Sequence, residues 1–133
     1  NQASLKENRK IDLKKIQLPK SSRLVIEGIG GVYVPLNRKQ TVLDFIQSIH
    51  CPVIVVARSG LGTLNHTLLT LEALKKRKLK VKGVILSGSL HPANKKDIEK
   101  WGKAPVILEL PILNPLTKKK LLGQFKKLKI NLF

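Results

Sequence analysis

Residues 52–74 read PVIVVARSGLGTLNHTLLTLEAL, and this stretch decides the fold. Its first six residues are apolar and mostly β-branched, which predicts a strand at residues 52–57 that is buried on both faces. Leucines then recur at the spacing of one helix face, namely Leu64, Leu68, Leu71 and Leu74. A buried strand that leads into an amphipathic helix is typical of a βαβ unit in a parallel sheet.

The same alternation extends to both sides of this stretch. It predicts further strands at residues 23–27, 81–86 and 105–110, and helices at residues 41–49, 63–78, 94–101 and 117–129. We therefore predict an α/β fold, a parallel sheet flanked by helices, with residues 1–133 forming part of one domain. Four residues supply the apolar stripe of the last helix, namely Leu121, Leu122, Phe125 and Leu128.

The composition limits the classes of function. Lys and Arg number 26 against 8 Asp and Glu, which gives 26 − 8 = +18. Lysine provides most of this charge and aromatic residues are only 4%, so specific nucleic-acid binding is unlikely and any such binding should be weak and salt-sensitive. No apolar run approaches the ~20 residues of a membrane span. The single cysteine, Cys51, fits a reducing cytoplasm.

Two segments that follow strands could carry chemistry, because ligands of such sheets bind at the carboxyl ends of the strands. Glu27 and Gly28 open a glycine-rich segment after the first strand, where a carboxylate could bind Mg²⁺ or merely face water. After the second strand, Gly60 and Gly62 precede a helix that begins at Thr63. Free backbone N–H groups there favour an anion, although simple capping by Thr63 is the alternative.

Other reactive side chains are assigned structural roles. The three histidines lack the spacing of metal ligands, Cys51 is expected to be a buried small hydrophobe, and Trp101 to cover the edge of the core. The chain also lacks methionine and a GxxxxGK[ST] motif. We therefore expect it to be part of a longer translation product, with any phosphate-binding loop supplied from elsewhere.

Two blocks of the sequence resemble dethiobiotin synthetases. Residues 24–37, LVIEGIGGVYVPLN, are similar to the VEGAGG…PL segment of that family, and residues 52–74 match its next block closely. The resemblance implies the C-terminal portion of an enzyme with a P-loop NTPase-like fold. It further implies a cytoplasmic homodimer that uses ATP, CO₂ and 7,8-diaminononanoate, with magnesium, to form dethiobiotin. The catalytic residues of the family precede this chain, so we expect the chain alone to be inactive.

The resemblance also assigns binding residues by position. Glu27 corresponds to a magnesium-binding glutamate. Nucleotide contacts are implied for Glu27, Gly28, Ile29, Gly30, Ser87, Gly88, Pro111, Ile112 and Leu113. Substrate contacts are implied for Leu61, Gly62, Thr63, Leu64 and Asn65. The chain departs from the family at Ser87, where asparagine is common, and at Lys118, near an expected acidic residue.

Two other classes of function remain as alternatives. One is a related P-loop enzyme, either a cobyrinate-type amidotransferase or a phosphotransacetylase-associated domain, although these should lack the GLGTLNHTLLT block. The other is a basic binding module without catalysis that acts through its lysine-rich surface.

Overall fold

A computed structural model of the protein describes residues 11–127. The chain divides into two compact units, Asn1–Cys51 and Pro52–Phe133. Among the described helices, none is long and apolar enough to cross a membrane.

Helix α1 (Val42–Ile49) follows a short 3-10 helix (Leu13–Lys15) and is the main element of the first unit. It begins with a capping box, because the Thr41 hydroxyl accepts the Asp44 N–H while the Asp44 carboxylate accepts the Thr41 N–H at 2.7 Å. The predicted helix at residues 41–49 is therefore confirmed, with Thr41 as its cap.

Residues 23–27 form no strand, so that prediction is wrong. Val25 is 83% exposed and Leu24 is 42% exposed, although both belong to the apolar run that suggested a buried strand. A strand needs a neighbouring strand to satisfy its backbone N–H and C=O groups. Within residues 11–127 no strand pairs with this segment, so its apolar residues are not enough to make it a strand.

Three parallel strands form the sheet of the second unit in the order β1 (Val53–Arg58), β2 (Val81–Ser87) and β3 (Val106–Leu110). Helices α2 (Thr63–Lys76) and α3 (Pro92–Gly102) connect them. The α/β prediction is confirmed. Strands β1 and β3 each start one residue later than predicted, because the predicted first residue of each is a proline. Proline has no N–H to donate to a neighbouring strand.

Both connecting helices pack on one face of the sheet and against each other. The side chains in this core that are almost fully buried are Leu71, Leu74, Val84, Leu86, Ile98 and Ile107. Gly102 makes the close contact of the helices possible, because a Cβ there would lie 2.5 Å from Leu71 Cδ1. The predicted apolar face of α2 is thus confirmed at Leu71 and Leu74.

Several expectations about burial are wrong. Strand β1 is not buried on both faces, since Val56 is 69% exposed at the edge of the sheet. Cys51 is exposed, and Trp101 is 64% exposed instead of covering the core. Helix α4 (Lys118–Phe125) buries no residue, so its predicted apolar stripe does not join the core. Leu128 and the predicted end of this helix lie outside the described residues.

Candidate functional site

Three loops leave the carboxyl ends of the strands along one edge of the sheet. The strand register places Arg58 beside Ser87 and Ser87 beside Leu110. The segments that follow these positions therefore start next to one another. They contain the predicted substrate residues after β1 and the predicted nucleotide residues Ser87, Gly88 and Pro111. The structure thus brings together three of the four groups of predicted site residues, and the fourth, at residues 27–30, belongs to the first unit.

Helix α2 begins without a side-chain cap. Its N-cap residue is Gly62, which has a φ of 85° in the left-handed region that favours glycine. The Thr63 hydroxyl faces the Thr67 hydroxyl at 3.3 Å. Capping by Thr63 is therefore not the reason for this sequence pattern. The N–H groups of Leu64 and Asn65 lie in the first turn, where a helix offers no acceptor of its own. This geometry suits an anion.

A cavity of about 240 Å³ lies beside this helix start. Residues of β1 up to Arg58 form one wall of this cavity. Leu61 in the loop and residues of α2 form the other wall, and those of α2 are Thr63, His66, Thr67 and Thr70. Leu61 is fully exposed, whereas Thr63 and Thr67 are buried. The cavity therefore combines hydroxyl groups and one cation with an apolar entrance, a composition suited to an aliphatic ligand that carries a carboxylate.

Ser59 connects the loops after β1 and β2. It is only 2% exposed, and its N–H donates to Ser87 O at 3.0 Å. Its hydroxyl donates to the carbonyl of Ser89, and its own carbonyl accepts the side-chain N–H of Asn94 at 3.0 Å. Every polar group of Ser59 is therefore used to fix one loop against the other. We did not predict this role, although a serine directly after a buried strand is a usable signal.

Gly88 must be glycine for two reasons. Its φ is 124°, and a Cβ on it would lie 3.1 Å from Ser59 Oγ. Its N–H donates to Leu110 O at 2.9 Å, which joins the second loop to the end of β3. A backbone hydrogen bond thus ties the loop after β2 to the end of β3, where the next predicted nucleotide residues begin.

The first turns of α3 contact the strands on both sides of β2. Asn94 bonds to Ser59 at the end of β1, and Lys95 forms an ion pair of 2.6 Å with Glu109 in β3. The hydrogen bond to Glu109 raises the pKa of the Lys95 ammonium, and partial burial of this lysine opposes the rise. Neither pairing could be predicted, because each joins residues that are distant in sequence.

The third predicted group follows β3. Ile112 is 75% exposed, and Pro111 and Leu113 are partly buried. Such an apolar surface could pack against a base. Lys118, where the resembling family has an acidic residue nearby, is exposed at the start of α4. The structure therefore supplies apolar contact after β3, with positive rather than negative charge nearby.

Glu27, Gly28, Ile29 and Gly30 belong to the first unit. Glu27 is exposed, Ile29 is 68% exposed, and Gly30 has a φ of 67°. Glu27 is therefore accessible to a cation. Its binding of magnesium stays a prediction.

No group of three possible metal ligands occurs within residues 11–127. The carboxylate of Glu27 would therefore provide one oxygen ligand for magnesium. This fits the ion, because Mg²⁺ usually keeps several waters and takes further ligands from substrate phosphates. His66 lines the cavity beside α2, so it lies at the candidate site without belonging to a metal cluster.

Sequence comparison identifies the family. The profile described as "AAA domain" matches residues 1–120. The chain belongs to the AAA domain family. Its match extends over the strands, the loops and the helix start described above, and it agrees with the P-loop NTPase-like fold that the resemblance implied.

Curated relatives of this AAA domain chain include enzymes of biotin biosynthesis. The biotin biosynthesis bifunctional protein BioCD of Bordetella avium is 48% identical over 109 residues, 81% of this chain and 23% of that protein. The ATP-dependent dethiobiotin synthetase BioD of Paramagnetospirillum magneticum is 42% identical over 118 residues, 88% of this chain and 58% of that protein. The ATP-dependent dethiobiotin synthetase BioD of Lawsonia intracellularis is 45% identical over 112 residues, 84% of this chain and 55% of that protein.

These matches confirm the resemblance to dethiobiotin synthetases. The AAA domain chain spans 23% to 58% of the lengths of these three relatives. The matched region is the one in which the GLGTLNHTLLT block forms the start of α2.

Proposed function

We propose that this chain takes part in ATP-dependent dethiobiotin synthesis. In the reaction that the resemblance implies, CO₂ adds to 7,8-diaminononanoate, ATP phosphorylates the carbamate, and the second amine closes the ureido ring. The observation that carries the proposal is the uncapped start of α2 beside a cavity of about 240 Å³, formed by the block that resembles the family. The dethiobiotin synthetases among the relatives support it as well.

The substrate residues bind the carboxylate and orient the aliphatic chain. The N–H groups of Leu64 and Asn65 donate to the carboxylate, because the helix start offers donors and a positive partial charge. Gly62 allows close approach, Leu61 contacts the aliphatic carbons, and the Thr63 side chain lines the cavity. Holding one end of the substrate in this way fixes the position of its amines.

The nucleotide residues hold ATP across the neighbouring loops. The Ser87 hydroxyl and the Gly88 carbonyl contact the base, and Pro111, Ile112 and Leu113 offer an apolar surface. Gly28, Ile29 and Gly30 form the turn that approaches the nucleotide in the first unit, and Glu27 supplies an oxygen ligand for Mg²⁺. When bound, magnesium would neutralise charge on the transferred phosphoryl group.

The chain alone is proposed to be catalytically inactive, because its sequence has no GxxxxGK[ST] motif to hold the phosphates. We further propose that the active protein is a cytoplasmic homodimer whose partner subunit completes the substrate site. Sedimentation of the chain with and without 7,8-diaminononanoate tests the assembly, with a shift toward the dimer as the expected result.

Amide chemical shifts measured on the chain test the binding proposal. We expect 7,8-diaminononanoate to perturb Leu61, Thr63, Leu64 and Asn65, and ATP to perturb Gly88 and Ile112. Octylamine is a control ligand, since it has a similar aliphatic chain but no carboxylate. Perturbation of the α2 start by octylamine to the same extent would contradict the carboxylate site. Ring closure by the purified chain would refute the proposed inactivity.

A further inference from the structure

Two connections that contain lysine lead into strands at the amino ends of the sheet, opposite the candidate site. Residues 77–80 lead from α2 into β2, and residues 103–105 lead from α3 into β3. The Lys80 carbonyl accepts the Val53 N–H at 2.8 Å, which places this connection at the start of β1 as well. The two connections therefore lie at one end of the sheet, the end that the proposed reaction does not use.

A cavity of about 180 Å³ shows that the two connections meet. Lys75 and Leu79 line it from the α2 side, and Lys103 and Pro105 line it from the α3 side. Lys75 of α2 and Lys103, which directly follows α3, thus border the same concavity. Their charges act on a ligand together, because both line one cavity.

Five exposed lysines and one tryptophan define what we call the amino-end basic surface. They are Lys75, Lys78, Lys80, Lys100, Lys103 and Trp101. The same helices carry three carboxylates, Glu72, Asp97 and Glu99. Glu72 pairs with Lys76 at 2.7 Å, a lysine outside this set, so two carboxylates stand against the five lysines of the surface. The surface therefore keeps a net positive charge.

Trp101 is the chain's only tryptophan and is 64% exposed in the last turn of α3. The Lys100 ammonium lies 4.8 Å from the centre of its ring. A large aromatic side chain at the surface forgoes the stabilisation that burial would give it. An exposed ring beside a basic surface is the combination that stacks an unpaired base while cations hold the phosphates.

We propose that the amino-end basic surface binds single-stranded nucleic acid, with lysines on the phosphodiester backbone and Trp101 stacked on a base. Lysine acts as a point charge without the fork that reads base edges, so the binding is independent of sequence. A single strand is favoured over a duplex because only unstacked bases expose a face to the ring. This activity is separate from the proposed ligase reaction and uses the opposite end of the sheet.

Tryptophan fluorescence of the whole chain tests the proposal directly, because Trp101 is the only tryptophan and is excited selectively beyond the absorption of Tyr33. The probe is an oligothymidylate of about 16 nucleotides at low salt. We expect the emission to be quenched on binding, and the logarithm of affinity to fall with the logarithm of salt by about 0.7 per phosphate neutralised. Binding without a change in emission, or no binding at low salt, would overturn the proposal.

Charge-reversal variants separate a local surface from the overall charge of +18. Lys80→Glu with Lys103→Glu should weaken binding about tenfold or more. The matched pair Lys118→Glu with Lys119→Glu in α4 makes the same change in net charge and should weaken it less than about threefold. Equal losses for the two pairs would show attraction by the overall charge alone and would overturn the assignment to this surface.

The role of the ring is tested with a labelled oligonucleotide and fluorescence anisotropy. Trp101→Leu should weaken binding of the single strand about fivefold or more, because a stacked base contributes ~1–3 kcal/mol. Duplex DNA of the same phosphate number should respond less to this substitution. Equal effects on the single strand and the duplex would refute stacking.

Discussion

The side-chain N–H of Asn94 donates to the carbonyl of Ser59 at 3.0 Å, which ties the first turns of α3 to the loop that follows β1. The two residues are 35 positions apart in the sequence. Between them runs the whole of β2 together with its crossover helix. This bond, with those from Ser59 to Ser87 and Ser89, fixes the loops in which the substrate and nucleotide residues lie.

Asn94→Asp should destabilise the chain by about 1–3 kcal/mol, because it replaces the donor with a carboxylate beside a carbonyl oxygen. Urea unfolding measures the loss. The control is Asn114→Asp, the same substitution at an exposed position, and its effect should stay within about 0.5 kcal/mol. Similar values for the two variants would mean that the Asn94–Ser59 bond contributes nothing to stability.

Gly88→Ala should cost about 1–3 kcal/mol of stability, because a φ of 124° is strained for alanine and its Cβ would crowd Ser59 Oγ. Gly60→Ala is the matched control at the same edge of the sheet. A Cβ at Gly60 would meet no atom within 4 Å, so its effect should be less than about 0.5 kcal/mol. Thermal unfolding of both variants distinguishes strain at Gly88 from a general cost of losing glycine.

Two N-cap threonines should differ in their effect on stability. Thr41→Ala should cost about 1 kcal/mol, because α1 buries Val42 and Leu43 and must remain folded. Thr117→Ala removes a comparable cap from α4, which buries no residue, so that helix should fray without a global effect. The measurement is amide hydrogen exchange, compared for the amides of α1, α4 and the sheet. Equal global losses would refute the distinction.

The Lys95–Glu109 pair should stabilise the chain over a defined pH range. Its bond raises the pKa of Lys95 above the ordinary 10.5, so the contribution is complete below that value and is lost as pH rises through the folded-state pKa. Lys95→Met should therefore lower the unfolding free energy by about 1 kcal/mol at neutral pH, and the deficit should shrink above about pH 10.

Lys96→Met, at the exposed neighbouring position, is the control for this pH dependence. Its unfolding free energy should follow that of the unaltered chain throughout the titration. A deficit of Lys95→Met that grows at alkaline pH would have the wrong sign for a lysine whose pKa is raised by its partner.

Much of the second unit could be predicted from the sequence. The period of the apolar residues gave its three strands and the helix starting at Thr63, and the glycines at residues 60 and 62 indicated an uncapped helix start. These features depend on local patterns of side-chain size and backbone freedom. The predicted strand at residues 23–27 failed because an apolar run has the same appearance whether or not another strand pairs with it.

The sequence by itself determined the alternation of strands and helices and the family motif at the start of α2, because both depend on residues close together along the chain. Only the tertiary structure decided that Ser59 joins two loops, that Lys95 pairs with Glu109, and that Trp101 is exposed beside Lys100. The first two relationships join residues that are distant in the sequence, and the third depends on how α3 packs. The sheet register and helix packing that create them are properties of the folded chain.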